Sequence, residues 1–132
     1  MLVKAFLVLA GVIGIGLGGT ILLAPLSFYA GYGLDLTGQI TLLNEMRSHG
    51  LSLMALGGII VGGVFVPRLA NLSLLAATGL YLSYGVSRLI AVALDGRPAD
   101  GLLVATAIEL AIGSLGLVLY LRHRNRTALA AA

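Results

Sequence analysis

Four long apolar segments, separated by short groups of polar residues, dominate the sequence. The first of them, residues 5–24, has twenty residues and no charge. As a helix it would be roughly 30 Å long, which matches the hydrocarbon core of a bilayer. The segments predict an all-α fold, an integral membrane four-helix bundle that forms a single domain. The predicted helices lie at about 3–24, 44–66, 69–94 and 101–121.

The second segment is too short to cross a bilayer without polar residues. Its uncharged run, 51–66, has sixteen residues, which is about 24 Å of helix. The helix is therefore expected to include the polar residues that precede it. Glu45 and His49 are four residues apart and share a helix face, whereas Arg47 points about 200° away from Glu45.

The connection between the first two helices, residues 26–43, is rich in tyrosine and glycine. Phe28, Tyr29 and Tyr32 suit the headgroup layer of a membrane, where an aromatic ring can be half apolar and half wet. Thr41 or Asn44 would cap the next helix. We interpret this connection as an interfacial segment, and a binding lid is the alternative.

The composition agrees with a membrane protein and excludes several kinds of site. Hydrophobic residues make up 59% of the chain and cysteine is absent, so the chain forms neither a disulfide nor a thiolate site. The basic residues behind the net charge of +3 are scattered among helix ends, which argues against nucleic-acid binding. His49 and His123 belong to opposite ends of the bundle and cannot share a haem. We predict no cofactor and no metal, because the acidic residues near His49 would form a site with a single histidine.

The distribution of basic residues predicts how the bundle is oriented. Four crossings place both termini on one side, together with a basic tail at 122–132. Basic residues concentrate on the cytoplasmic side of membrane proteins, so we expect both termini in the cytoplasm and a multi-pass protein of the bacterial inner membrane. A signal peptide is the competing interpretation of the first segment, but its apolar core would be only about 7–15 residues long. The side with the termini has Lys4, Arg68, Arg122, Arg124 and Arg126, and the other side has Arg47 and Arg97.

Two charged residues are expected at similar depth inside the bundle. Arg88 is about 9 Å from the end of the third helix, and Glu109 is about 10 Å from the start of the fourth. Ionisable groups within a bilayer cost roughly 2.5–3.5 kcal/mol each and normally face one another or a wet cavity. We therefore predict that Arg88 and Glu109 pair, either to fix helix register alone or within a pocket that opens outward. The candidate polar pocket comprises Glu45, Arg47, His49, Tyr81, Tyr84, Arg88, Asp95 and Glu109.

Glycines at helical spacing predict where helices pack closely. Small residues four positions apart let two helix backbones approach each other. The first helix has such a pair, the second has another, and two glycines share the face of Glu109 in the last. The predicted packing glycines are Gly14, Gly18, Gly58, Gly62, Gly113 and Gly116.

Several of these motifs together resemble a known family. They are the polar residues 44–47 before a glycine-rich helix, Arg88 followed by the turn 95–98, and Glu109 in the last helix. Over most of the chain they are similar to the bacterial four-helix membrane proteins called domain of unknown function 4345, and more distantly to DoxX-like proteins. That family often has Glu-x-Arg-Gly where this chain has a serine after the arginine. The resemblance implies no known activity, and its polar signature falls on Glu45, Arg47, Arg88, Asp95 and Glu109.

Two classes of function agree with these features. The one we favour from the sequence is a non-catalytic accessory or scaffold subunit of a larger membrane assembly, which would contact lipid and either a membrane-protein partner or a second copy. The alternative is binding or transport of a small hydrophobic or weakly charged molecule through an outward-facing polar pocket. Neither class requires an enzyme, a cofactor or nucleic acid.

Overall fold

The computed structural model describes residues 1–131, and the side chains of residues 1–125. Within this part of the chain all regular structure is helical, which confirms the all-α part of the predicted fold class. Four of the helices are long and apolar enough to cross a membrane. The α-helices are α1 (Leu2–Leu23), α2 (Pro25–Ala30), α3 (Ile40–Phe65), α4 (Ala70–Asp95) and α5 (Asp100–Ala131), and a short 3-10 helix, Pro67–Leu69, joins α3 to α4.

The helix boundaries differ from the predicted ones at three places. The helix α3 begins at Ile40 rather than near 44, and it follows Gln39 without a side-chain cap. The predicted connection contains the short helix α2, which starts at Pro25, a residue whose fixed φ suits the first turn of a helix. The helix α5 continues past 121 through the predicted tail, where alanine and arginine favour helix. The side chain of Arg126 in that tail lies outside the described residues.

The closest helix pair is α1 with α3, which run antiparallel and meet through glycines. A Cβ added to Gly18 would lie 2.5 Å from the carbonyl oxygen of Gly50, and one added to Gly57 would lie 2.7 Å from that of Gly11. Gly14 also faces Gly57, at 3.3 Å from its Cα. Since these contacts involve backbone atoms, the two helices approach as closely as glycine allows.

The pair of α4 and α5 packs in the same antiparallel manner, with side chains lying on glycines. Added Cβ atoms would meet Leu82 at Gly113, Leu110 at Gly85 and Thr78 at Gly116. Between the two pairs, the Ser73 hydroxyl of α4 donates to the Ile59 carbonyl of α3 at 2.7 Å. The bundle therefore has the order α1, α3, α4, α5 around its axis.

The second predicted packing pair, Gly58 and Gly62, does not pack within the bundle. No atom lies within 4 Å of a Cβ added to either residue, apart from the helix's own turn. The face of α3 that packs on α1 contains Gly50, Leu53 and Gly57 instead. One residue is about 100° of rotation on a helix, so a register difference of one position turns the predicted pair away from α1.

Both ends of the described chain lie at the same end of the bundle. Met1, Leu2, Arg122 and His123 border one cavity of about 200 Å³. At this end Phe6 of α1 also touches Gly116 of α5. The connections α2 and 95–100 therefore lie at the opposite end, where the predicted polar residues are found.

Candidate functional site

Four of the predicted polar side chains line one cavity of about 260 Å³. His49 comes from α3, Tyr84 and Arg88 from α4, and Glu109 from α5. Tyr84 and Arg88 are four residues apart, so they lie one above the other on the same face of α4. Three different helices thus direct polar groups into a space with largely apolar walls.

Arg88 and Glu109 form the ion pair predicted from their depths. Arg88 Nε donates to Glu109 Oε2 at 2.9 Å, and the two side chains are 29% and 14% exposed. The guanidinium carbon also lies 6.0 Å from the centre of the Tyr84 ring, which is within the range of a cation–π contact. Within the described part of the chain, the two Nη groups of Arg88 have no hydrogen-bond partner. The pair is electrically neutral, and the guanidinium retains donors that no described residue uses.

Tyr84 and His49 form a second polar contact, between α4 and α3. The Tyr84 hydroxyl oxygen is 2.5 Å from His49 Nε2 and 3.3 Å from Nδ1. With Nε2 unprotonated the hydroxyl donates to it, and in the other tautomer the hydroxyl accepts. This contact was not predicted, because periodicity along one helix does not show which residue on another helix it meets.

The helix α2 and the turn after it cover this cavity with aromatic rings. Tyr29 and Tyr32 line the cavity, and the Phe28 ring packs edge-on against both, with centroid distances of 5.1 and 5.5 Å. Burial raises the pKa of the Tyr29 phenol, and the positive charge of Arg88 partly opposes that shift. The connection then reverses through Gly33, whose φ of +79° suits glycine. The predicted pocket does not include these two tyrosines, although the aromatic-rich connection is a signal for them.

A larger apolar cavity of about 450 Å³ lies beside the polar one. Tyr84, Ala105 and Glu109 line both cavities. Tyr81, a predicted pocket residue, forms part of the apolar wall, and its hydroxyl donates to the Ala10 carbonyl of α1 at 2.5 Å. Tyr81 therefore contributes packing and a helix-to-helix hydrogen bond, while its hydroxyl is already engaged.

Comparison with known proteins identifies a family. A family model described as Domain of unknown function (DUF4345) matches residues 2–120. The chain belongs to the DUF4345 family. Comparison with curated proteins and with solved structures gives no significant match. All residues that line the two adjoining cavities lie within the DUF4345 domain.

Three predicted pocket residues, which the resemblance to DUF4345 also implied, lie outside the cavity. Glu45 is exposed and borders a shallow depression with residues 38–42, one turn of α3 beyond His49. Arg47 Nη1 donates to the Leu22 carbonyl at the end of α1, which satisfies a terminal carbonyl of that helix. Asp95 is exposed at the end of α4. Of the implied signature, only Arg88 and Glu109 reach the cavity.

Proposed function

We propose that this DUF4345 protein is a multi-pass protein of the bacterial inner membrane that binds a small, largely apolar molecule in the cavity at Arg88 and Glu109. The observation that supports this proposal is the polar cavity itself. Binding sites for small molecules are concave and mostly apolar, with a few placed polar groups. Here the walls are mainly aliphatic and aromatic, and the polar groups come from three helices.

The alternative that these polar groups only fix helix register accounts for less of the geometry. An ion pair that serves register needs no free space beside it. The cavity of about 260 Å³ has room for several water molecules at roughly 30 Å³ each. Arg88 also keeps Nη donors that no described residue uses, which favours a guest molecule.

Binding alone agrees better with the bundle than transport or catalysis does. A single bundle of four spanning helices has little width for a path across a membrane. Among the described residues, the cavity is lined by no serine, threonine or cysteine that could act as a nucleophile, and no group of three His, Cys, Asp or Glu residues could hold a metal ion. We therefore propose a non-catalytic binding protein whose cavity opens at the end away from the termini.

The proposal is tested by filling the cavity from α5. Ala105 lines both cavities, whereas Ala107 is exposed on the other side of the same helix. We expect native mass spectrometry to find a bound small molecule in the wild type and in Ala107→Phe, and to find none in Ala105→Phe. Absence of any such molecule from the wild type, or its equal retention in both variants, would refute binding in this cavity.

A second candidate function, that of an accessory subunit, is favoured by two glycines of α3 that do not pack within the bundle. Gly58 and Gly62 have open space around them, and small residues let a second membrane helix approach closely. We expect Gly58→Leu to abolish cross-linking to a partner helix, or to a second copy, while the bundle still folds. The matched variant is Gly79→Leu, at an exposed glycine of α4 that also has open space. Equal cross-linking in both variants and the wild type would exclude this face as an interface.

A further inference from the structure

The polar cavity and the apolar cavity adjoin each other at Glu109. Residues of α1, α3, α4 and α5 line both spaces, which are about 260 and 450 Å³. Apart from Tyr81, Tyr84 and Glu109, the larger one is lined by aliphatic residues and glycines. A molecule that contacts Glu109 with a polar group therefore has an apolar space directly beside it.

The charges around the polar cavity favour an uncharged polar group. The ionisable side chains that face it are His49 from α3, Arg88 from α4 and Glu109 from α5, together with tyrosines from α2 and α4. Arg88 and Glu109 already neutralise each other at 2.9 Å. This ion pair offers no unbalanced charge to a guest, so a charged guest would bring an uncompensated charge into an apolar interior, which is costly.

The same cavity offers hydrogen-bond donors in excess. Arg88, Tyr29 and Tyr32 line the cavity, and no described residue accepts a hydrogen bond from the Arg88 Nη groups or from the two tyrosine hydroxyls. A guest would satisfy these donors with acceptor oxygens. Ester, carbonyl and hydroxyl oxygens provide such acceptors without a charge.

The apolar cavity opens sideways between α1 and α5. These helices touch where Phe6 meets Gly116, and further along they are separated by the cavity. Its exposed lining residues are Val12, Gly16 and Leu17 of α1 and Ile108 of α5. If the bundle spans a membrane as proposed, this opening faces the lipid chains. A hydrocarbon chain of the ligand can then lie partly in the apolar cavity and partly in the bilayer.

From these features we infer that the ligand is an uncharged single-chain amphiphile. Its oxygen-containing head would lie at Arg88 and Glu109, and its hydrocarbon chain would leave between α1 and α5. This inference rests on the proposed binding function and adds the chemical class and the direction of entry.

The head group is tested with three probes that share one oleyl or oleoyl chain. The full chain is reconstituted in lipid nanodiscs, and binding of 1-monoolein, oleate and oleylamine is measured by titration. We expect monoolein to bind at least about tenfold more tightly than either charged probe, which corresponds to about 1.4 kcal/mol. Equal or tighter binding of oleate or oleylamine would overturn the inference of an uncharged head.

The position of the ligand's hydrocarbon chain is tested by filling the opening of the apolar cavity. A Cβ at Gly16 meets nothing within 4 Å, so Gly16→Leu adds a side chain at the opening of the apolar cavity with no clash at its Cβ. Gly79→Leu, which also has open space around its Cβ, is the matched control outside this cavity. We expect Gly16→Leu to weaken monoolein binding by about tenfold or more and Gly79→Leu to leave it unchanged. Unchanged monoolein binding in Gly16→Leu would overturn the placement of the hydrocarbon chain between α1 and α5.

Failure of this inference is distinguishable from failure of the binding function. Suppose that Ala105→Phe abolishes the binding of none of the three probes, but that a different small molecule copurifies with the wild type and is lost in this variant. The inference of an amphiphilic ligand is then refuted, and the binding function stands. If no molecule depends on Ala105, both are refuted.

Discussion

At the level of single side chains, the interior is organised in polar pairs that join different helices. Arg88 pairs with Glu109, Tyr84 with His49, and the Tyr81 hydroxyl with the Ala10 carbonyl. In the described part of the chain, no buried side-chain nitrogen or oxygen lacks a hydrogen-bond partner. Removing one member of a pair therefore leaves the other unpaired in an apolar setting, which costs more than the pair itself contributes.

The ion pair gives a prediction about coupling. Glu109→Ala should lower the unfolding temperature and the folded yield, because the Arg88 guanidinium then lacks its counter-charge. The double variant with Arg88→Leu should recover part of the loss, with a coupling of about 1–3 kcal/mol between the two sites. Asp100→Ala, in the exposed pair with Arg97 (75% and 85% exposed), is the control and should have little effect. Strictly additive losses for Glu109→Ala and Arg88→Leu would contradict the coupling.

At the level of the helices, close backbone contact defines the pair of α1 and α3. Gly18 has no room for a Cβ, because the Gly50 oxygen and the Met54 nitrogen both lie 2.5 Å from its ideal position. Both neighbours are backbone atoms, so the overlap with a Cβ at Gly18 can be relieved only if the two helices move apart. Gly16, two residues earlier, points to open space.

This difference predicts opposite outcomes for two alanine substitutions in α1. Gly18→Ala should destabilise the protein by about 1–3 kcal/mol, since an extra methyl forces a backbone shift. Gly16→Ala should cause no loss, because its Cβ meets nothing. Thermal unfolding of both variants in the same detergent provides the comparison. A loss of equal size at Gly16 would show that helix separation is not the cause.

For the molecule as a whole, the four long helices run alternately up and down, and both ends of the described chain lie at one end of the bundle. The end with the termini has Lys4, Arg68, Arg122 and Arg124. The opposite end has α2, the polar cavity and most of the acidic residues. Under the proposed orientation, the cavity would therefore open away from the cytoplasm.

Single cysteines can test this orientation, because the natural chain has none. Thr37→Cys lies in the exposed turn after α2, and Asn125→Cys is exposed near the end of the described side chains. In intact bacterial cells we expect a membrane-impermeant maleimide to label Thr37→Cys and not Asn125→Cys. After the cells are opened, both should react. Labelling of Asn125→Cys in intact cells would reverse or refute the proposed orientation.

The amino-acid sequence was sufficient for the class of fold and for one contact between helices. Apolar segments of spanning length, ended by proline or charged turns, allow little besides helices, because backbone polar groups in apolar surroundings must be satisfied within the segment. Counting residues from the helix ends placed Arg88 and Glu109 at the same depth, and neighbouring ionisable groups at one depth pair. Helix ends were less well predicted, since α3 begins without a side-chain cap.

Rotation of each helix about its own axis could be obtained only from the three-dimensional packing. Periodicity places Gly57 and Gly58 about 100° apart but does not show which of them faces α1. For the same reason Glu45 and His49, on one face of α3, were both assigned to the pocket, although only His49 reaches it. Tyr29 and Tyr32 cover a cavity that later helices form, and Tyr84 contacts His49. Both arrangements join residues that are far apart in the chain. Such contacts depend on how all five helices pack at once, which no single segment specifies.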